Sequence, residues 1–100
     1  MTRRFIILAS PLTAEDDRML RQYLAELGAW WHWIENVWLL VSEDEKIKVA
    51  TIRDRIKDLN QKARIVVFEF PEDIDWAASS SKNPNGKMIA DWIASTWVTK

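Results

Sequence analysis

The stretch WWHWIENVWLLV, residues 30–41, decides the fold of this 100-residue chain. It is rich in aromatic and β-branched residues, which favour strands, and the polar pair Glu35-Asn36 interrupts it in the middle. Asparagine tolerates the positive φ that tight turns need, so the stretch predicts a β-hairpin with a two-residue loop. A two-residue loop places Ile34 opposite Val37. This first pair fixes which residues of the two strands lie opposite each other farther from the turn.

The register of this hairpin predicts which side chains share a face of the sheet. It places Trp33 opposite Trp38. It also places Trp31 opposite Leu40. Because side chains alternate along a strand, one face should carry Trp31, Trp33, Trp38 and Leu40. The other face should carry Trp30, His32, Ile34, Val37, Leu39 and Val41, and a slip of one residue would exchange the two faces.

The residues before the hairpin predict a strand and a helix. Residues 4–9 are apolar on both alternating faces, which is typical of a central strand covered from two sides, and Ser10-Pro11 ends it. A capping box begins at Thr13, and apolar residues then follow at helical spacing, at positions 20, 23, 24 and 27. We expect Gly28 to end this helix with a left-handed cap.

The residues after the hairpin predict a second helix and a fourth strand. Residues 42–45 resemble another capping box, and the buried stripe of the helix that follows would be Val49, Ile52, Ile56 and Leu59. Residues 63–70 are β-branched and aromatic, and Pro71 ends them. The resulting order is the split βαβ order of the ferredoxin-like class. We therefore expect residues 1–70 to form an α+β domain (βαββαβ) whose two helices cover one face of a four-stranded antiparallel sheet.

The rest of the chain predicts a linker and one more helix. Residues 71–86 are rich in acids, Ser, Asn and Pro, which indicates an exposed polar linker. Residues 87–100 should form an amphipathic helix whose apolar face is Met88, Ile89, Trp92, Ile93 and Trp97. This helix should pack on its own subunit or on a partner subunit.

One face of the predicted sheet is left bare by the two crossover helices, and it is apolar in either register of the hairpin. Such a face is a liability for a soluble monomer, so the last helix, a second copy or a ligand should cover it. We expect an interaction module that forms a homodimer through this face, with another protein as a further possible partner. The predicted interaction surface consists of Trp31, Trp33, Trp38, Leu40, Trp92, Ile93 and Trp97.

Composition and charge bound the chemistry. The chain has no cysteine, which excludes disulfides and thiolate-bound zinc. Its net charge of -1 gives no strong positive field for non-specific nucleic-acid binding. No apolar run approaches the roughly 20 residues of a membrane span, so we expect no membrane association and a cytoplasmic location.

The segment LGAWWHWIENVWLL, residues 27–40, resembles a stretch of small SinR-like bacterial proteins. Those proteins are ferredoxin-like, and they are distantly similar to the small subunit of the CRISPR spacer-integration complex and to toxin-like ribonucleases. The resemblance covers residues 4–70 and implies a homodimer joined through its sheets. The distant nucleases carry a metal-binding aspartate at the end of the first strand, where this chain has Ser10. Serine is a poor substitute for that ligand, which argues against metal-dependent nuclease activity.

The candidate polar site consists of Ser10 and His32. His32 is the single histidine, and it could act as a general base or as a metal ligand. It has no partner histidine or cysteine and no acid at a suggestive spacing, which favours a structural role. We therefore predict no catalytic residue, no bound metal and no cofactor.

The seven tryptophans admit three interpretations. The first is packing in the core and in a dimer interface, because indoles bury a large area. The second is a surface for another protein partner. The third is stacking of single-stranded bases on an open sheet, although residues 37–41 lack the basic-glycine-aromatic pattern of RNA-recognition domains. Metal-dependent nuclease activity and single-strand nucleic-acid binding thus remain the alternative functions.

Overall fold

The computed structural model describes residues 2–71, residue 76 and residues 89–97. Its strands are β1 (Arg3–Ser10), β2 (Gly28–Ile34), β3 (Val37–Ser42) and β4 (Arg64–Phe70). Its helices are α1 (Ala14–Leu27), α2 (Val49–Leu59) and α3 (Ile89–Trp92), and α3 continues into a π-helical turn (Ile93–Trp97). Most of the predicted linker and both ends of the predicted last helix lie outside the described residues.

The four strands form one open antiparallel sheet in the order β2-β3-β1-β4. β1 and β3 are central, whereas β2 and β4 are the edges. The chain is therefore an α+β protein with a four-stranded antiparallel sheet, as predicted, and this architecture is consistent with the ferredoxin-like class.

Helix α1 begins with the predicted capping box. The Thr13 hydroxyl accepts a hydrogen bond from the Asp16 backbone N–H, and the Asp16 carboxylate accepts one from the Thr13 backbone N–H, both at 3.0 Å. The predicted left-handed cap at Gly28 is wrong, because Gly28 is extended, with φ 164° and ψ -152°, and begins β2. Glycine is needed there for a different reason: a Cβ atom would lie 1.9 Å from the Val41 carbonyl oxygen.

Helix α2 begins later than the second capping box predicts. Ser42 still belongs to β3, and its hydroxyl donates to the Leu27 carbonyl at 2.7 Å and accepts from the Asp44 N–H at 3.1 Å. Ser42 does not cap a helix because its backbone is still paired with Arg3 in the sheet and α2 starts only at Val49. A loop intervenes, and Ile47 in that loop is buried in the core before α2 begins at Val49.

The face of the sheet that α1 and α2 cover is called the helix face. Its core is one cluster to which β1, β3 and both helices contribute. Burying side chains of this size contributes about 1.5–3 kcal/mol each. The largest members with no exposed surface are Phe5, Ile7, Leu20, Leu24, Trp38, Leu40, Ile52 and Ile56.

The hairpin turns where the sequence predicts, at Glu35-Asn36, with Asn36 at φ 66° and Ile34 opposite Val37. Beyond that pair the register shifts, so that Trp31 lies opposite Leu39. The predicted pairing of Trp31 with Leu40 is therefore wrong. The physical reason is a β-bulge at residues 32–33, where two residues of β2 lie opposite one residue of β3.

The bulge also changes which side chains share a face. Trp38 and Leu40 lie on the helix face, within the core cluster. Trp31 lies on the opposite face, in a second cluster with Leu39 and Val41. The predicted grouping of these residues on one face is thus wrong, and the side chain of Trp33 lies outside the described part of the chain.

The opposite face is called the cap face, because α3 and the π-helical turn, together the C-terminal cap, pack on it. Trp92, Ile93 and Trp97 of the cap bury the second cluster and leave its members almost without exposed surface. Trp92 and Trp97 are five residues apart, and the five-residue spacing of π-helical hydrogen bonds lets both face the sheet. Their ring centroids are 6.2 Å apart.

Candidate functional site: an open apolar patch and a polar cleft

The C-terminal cap covers only part of the cap face. Beyond it, one residue from each strand forms a row across the sheet, because the paired positions are Ile34 with Val37, Val37 with Leu8, and Leu8 with Val66. Paired residues project on the same face, so this row is a continuous apolar strip. Phe68, opposite Ile6 on the neighbouring row, extends it along β4. We call Leu8, Ile34, Val37, Val66 and Phe68 the open patch.

The open patch is accessible. Leu8, Ile34, Val66 and Phe68 are between 37% and 53% exposed, in contrast to the buried residues under the cap. Phe68 also contacts the half-buried Phe70, with ring centroids 5.8 Å apart. A contiguous apolar surface of this kind marks an interaction site more often than isolated exposed residues do.

The patch ends at the outer edge of β4. β4 pairs with β1 through seven consecutive residue pairs, from Arg4 with Phe70 to Ser10 with Arg64, and no strand of the described residues pairs with its other side. The acidic residue of β4, Glu69, forms an ion pair within the chain. The Arg3 guanidinium donates two hydrogen bonds to its carboxylate, at 2.8 and 2.9 Å. These bonds lower the pKa of the Glu69 carboxyl.

The predicted interaction surface is brought together only in part. Four of its residues, Trp31, Trp92, Ile93 and Trp97, meet under the cap and are 2–8% exposed. Trp38 and Leu40 are separated from them by the sheet and are fully buried beneath the helices. None of these six side chains is accessible in the described chain.

The exposed residues of the open patch were not predicted as site residues. The sequence does show that β1 and β4 are apolar on both alternating faces, which is typical of strands that are covered from both sides. It does not show which of the two faces stays uncovered. Deciding that side requires knowing where the C-terminal cap lies.

The polar residue His32 lies in a separate cleft of about 220 Å³, between the start of α1 and the hairpin turn. Its ring stacks on Trp38 with centroids 3.4 Å apart and an angle of 10° between the planes. The cleft is lined by Leu12, Thr13, Ala14, Asp17, His32, Glu35, Asn36 and Trp38.

His32 has one hydrogen bond within the hairpin and one close polar contact with α1. Nδ1 lies 2.8 Å from the Val37 carbonyl oxygen, and since a carbonyl only accepts, Nδ1 must carry a proton. Nε2 lies 3.5 Å from a carboxylate oxygen of Asp17, which also pairs with Arg21. When Nε2 is protonated as well, His32 can form an ion pair with Asp17. The sequence did not reveal Asp17 as a partner, because only the fold brings α1 beside the bulge.

The other candidate residue, Ser10, lies at the end of β1, opposite Arg64. It is not among the residues that line the cleft of His32. Within the described residues, no group of three or more His, Cys, Asp or Glu side chains could hold a metal ion. Nor is any helix in these ranges both long and apolar enough to cross a membrane.

Comparison of the chain with protein-family models, with curated proteins and with solved structures gave no match. The resemblance of residues 27–40 to SinR-like proteins therefore stays a prediction.

Proposed function

We propose that this chain is a cytoplasmic, non-enzymatic interaction module of ferredoxin-like fold that forms a homodimer through the open patch. The observation that carries the proposal is the row from Ile34 to Val66, which crosses all four strands on the cap face without a polar side chain. The C-terminal cap leaves this row uncovered, and a second copy would shield it.

A second copy suits the patch chemically. A two-fold dimer presents the same surface twice, so an apolar patch meets an apolar patch. The net charge of -1 gives little repulsion between copies. Because the patch is small, we expect an interface near the lower end of specific interfaces, about 1,000 Å² in total, and hence a weak dimer.

The alternative functions have less support. Stacking of bases on tryptophan would need accessible indoles on the cap face, but Trp31, Trp92 and Trp97 are buried there. The metal-dependent nuclease activity that the resemblance implies uses a carboxylate at the end of β1, and that position is Ser10.

The proposal is tested with Phe68→Glu. This substitution places a charge at the edge of the sheet, where the patch lies on β4 and Phe68 is exposed. The matched control is Met19→Glu, because Met19 is 38% exposed but lies on α1, across the sheet from the patch. Light scattering coupled to size exclusion, over micromolar to millimolar concentrations, should show a wild-type dimer whose dissociation constant rises at least about tenfold in Phe68→Glu.

The control should dimerise like the wild type, and circular dichroism should show that both variants are folded. A wild-type chain that stays monomeric at millimolar concentration would overturn the proposal. Equal weakening by Phe68→Glu and Met19→Glu would also overturn it, because the effect would then not depend on the patch.

A further inference from the structure

We infer that the two copies join by pairing β4 with β4 of the partner subunit, antiparallel and about a two-fold axis at Val67. The dimer would then contain one continuous eight-stranded sheet. This inference rests on the proposed function and goes beyond it, since it names the strand and the register that join the copies.

The two edges of the sheet differ in a way that selects β4. Soluble proteins protect edge strands with bulges, prolines or charges. β2 has such protection, because a bulge interrupts it at residues 32–33. β4 pairs regularly along its whole length and contains no proline or glycine. Its outer edge therefore offers a regular row of backbone donors and acceptors to another strand.

The charges on β4 do not oppose this pairing. The strand has one basic residue, Arg64 at its start, and one acidic residue, Glu69 near its end. Glu69 is held by Arg3 on the helix face. An antiparallel partner brings the start of one strand beside the end of the other, so like charges do not meet.

The register follows from the length of the strand. All seven residues of β4 are paired when Arg64 lies opposite Phe70 of the partner, which places Val67 opposite its own copy. Val66 then lies opposite Phe68 of the partner, so the two half-exposed apolar side chains shield each other. Centring the pair on Glu69 instead would set two carboxylates opposite each other and shorten the ladder.

The same register makes the cap faces of the two copies continuous. The row that ends at Val66 continues into the partner through the partner's Phe68. The neighbouring row, which ends at Phe68, continues through the partner's Val66. The open patches of both copies thus meet at the seam, which explains why the exposed apolar residues of β4 lie next to an unprotected edge.

Disulfide crosslinking tests the inference, because the chain has no cysteine of its own. Val67→Cys places two thiols opposite each other across the two-fold axis, within reach of a disulfide. Ile65→Cys is the matched control, because Ile65 is also on β4, on the same face and partly buried. Its thiol would lie about 13 Å from its copy, since the two are four residues apart along the strand.

Under mild oxidation, Val67→Cys should form dimers at least about tenfold faster than Ile65→Cys, because paired thiols have a high effective concentration. Val66→Cys and Phe68→Cys provide a second measurement at exposed positions, where folding is not at risk. Mixed together, they should crosslink to each other faster than either crosslinks to itself, and mass spectrometry identifies the product.

Two results separate the failure of this inference from failure of the proposed function. If the wild type dimerises but Leu8→Cys crosslinks and Val67→Cys does not, the copies pack face to face and the edge pairing is wrong. Fastest self-crosslinking at residue 66 or 68 would overturn the register. A wild-type chain that is monomeric at all concentrations would overturn both proposals.

Discussion

The two faces of the sheet are closed by different parts of the chain, and they are closed to different extents. The helix face is covered by α1 and α2, which are the connections between neighbouring strands in the sequence, and its core is continuous. The cap face is covered by residues 89–97, which contact β2 and β3 in space but are separated from them by more than 45 residues of sequence. The nine-residue cap hides one cluster and leaves the open patch accessible. The connections between neighbouring strands thus complete a core, whereas the short segment from the end of the described chain leaves apolar side chains exposed.

The comparison also holds for the polar contacts that fix the helices. On the helix face, the Asn60 side chain donates hydrogen bonds to the Asp16 carboxylate at 2.9 Å and to the Pro11 carbonyl at 3.2 Å, which ties the end of α2 to the start of α1. On the cap face, the buried Arg4 donates to the Trp97 carbonyl. A cation at the C-terminal end of a helix also interacts favourably with its dipole.

The largest expected effect is on the helix face. Trp38→Ala should lower the free energy of unfolding by about 3–5 kcal/mol, because it leaves a cavity in the continuous core. Denaturant unfolding followed by circular dichroism measures the loss. Trp38→Phe is the control: it keeps a ring and removes a buried indole N–H that has no hydrogen-bond partner among the described residues, so its cost should be much smaller. Similar losses for both variants would contradict this account of the core.

On the cap face, the equivalent change should act locally. Trp97→Ala should release the C-terminal cap while the sheet and both crossover helices stay folded, and it should cost at most about 3 kcal/mol. Acrylamide quenching of tryptophan fluorescence should increase, and amide exchange should rise in residues 89–97 but not in α1. Exchange that rises equally in both regions would mean that the two faces form one cooperative unit.

Gly28→Ala tests the joint between α1 on the helix face and the edge strand β2. The added Cβ would collide with the Val41 carbonyl oxygen, so β2 and β3 must separate. We expect a loss of about 1–3 kcal/mol, measured by denaturant unfolding. The exposed helical residue Ala25 provides the control through Ala25→Ser, which should change stability by less than about 0.5 kcal/mol. An unaffected Gly28→Ala would show that the strands are not this close.

The smallest expected effect is a pH dependence at the start of α1. The Thr13 backbone N–H and then the Asn60 side chain hold the pKa of the Asp16 carboxyl below its ordinary value. The stabilisation is therefore present above the ordinary pKa of an aspartate and is lost as the pH falls through the lowered, folded-state value. Melting temperatures between about pH 6 and pH 2 should fall less steeply in Asp16→Asn than in the wild type. Parallel curves would contradict the assignment.

The sequence predicts the regular parts of this fold because those parts depend on local chemistry. The capping box at Thr13 and the turn at Asn36 each act within a few residues, and both are found where they are predicted. Ser42 fails as a cap because its backbone pairs in the sheet with Arg3 and Gly28, which are distant in the sequence.

The bulge and the open patch could not be predicted in the same way. Residues 30–34 are aromatic or apolar at every position, so either face of β2 could be buried. The sequence pattern therefore does not show that β2 has one residue more than β3 at the bulge. Leu8 and Val66 belong to strands that are apolar on both faces, and their exposure depends on how far a distant cap reaches. The contact of Asp17 with His32 likewise depends on the packing of α1 beside the hairpin.

The central claim, that a second copy shields the open patch, is tested most directly by side-chain labelling of the unmodified chain. Hydroxyl radicals label exposed Phe68 and exposed Met19, and their products are quantified by mass spectrometry as the protein concentration rises from micromolar to millimolar. The account predicts that labelling of Phe68 falls while labelling of Met19 stays constant. Labelling of Phe68 that does not change with concentration would contradict it.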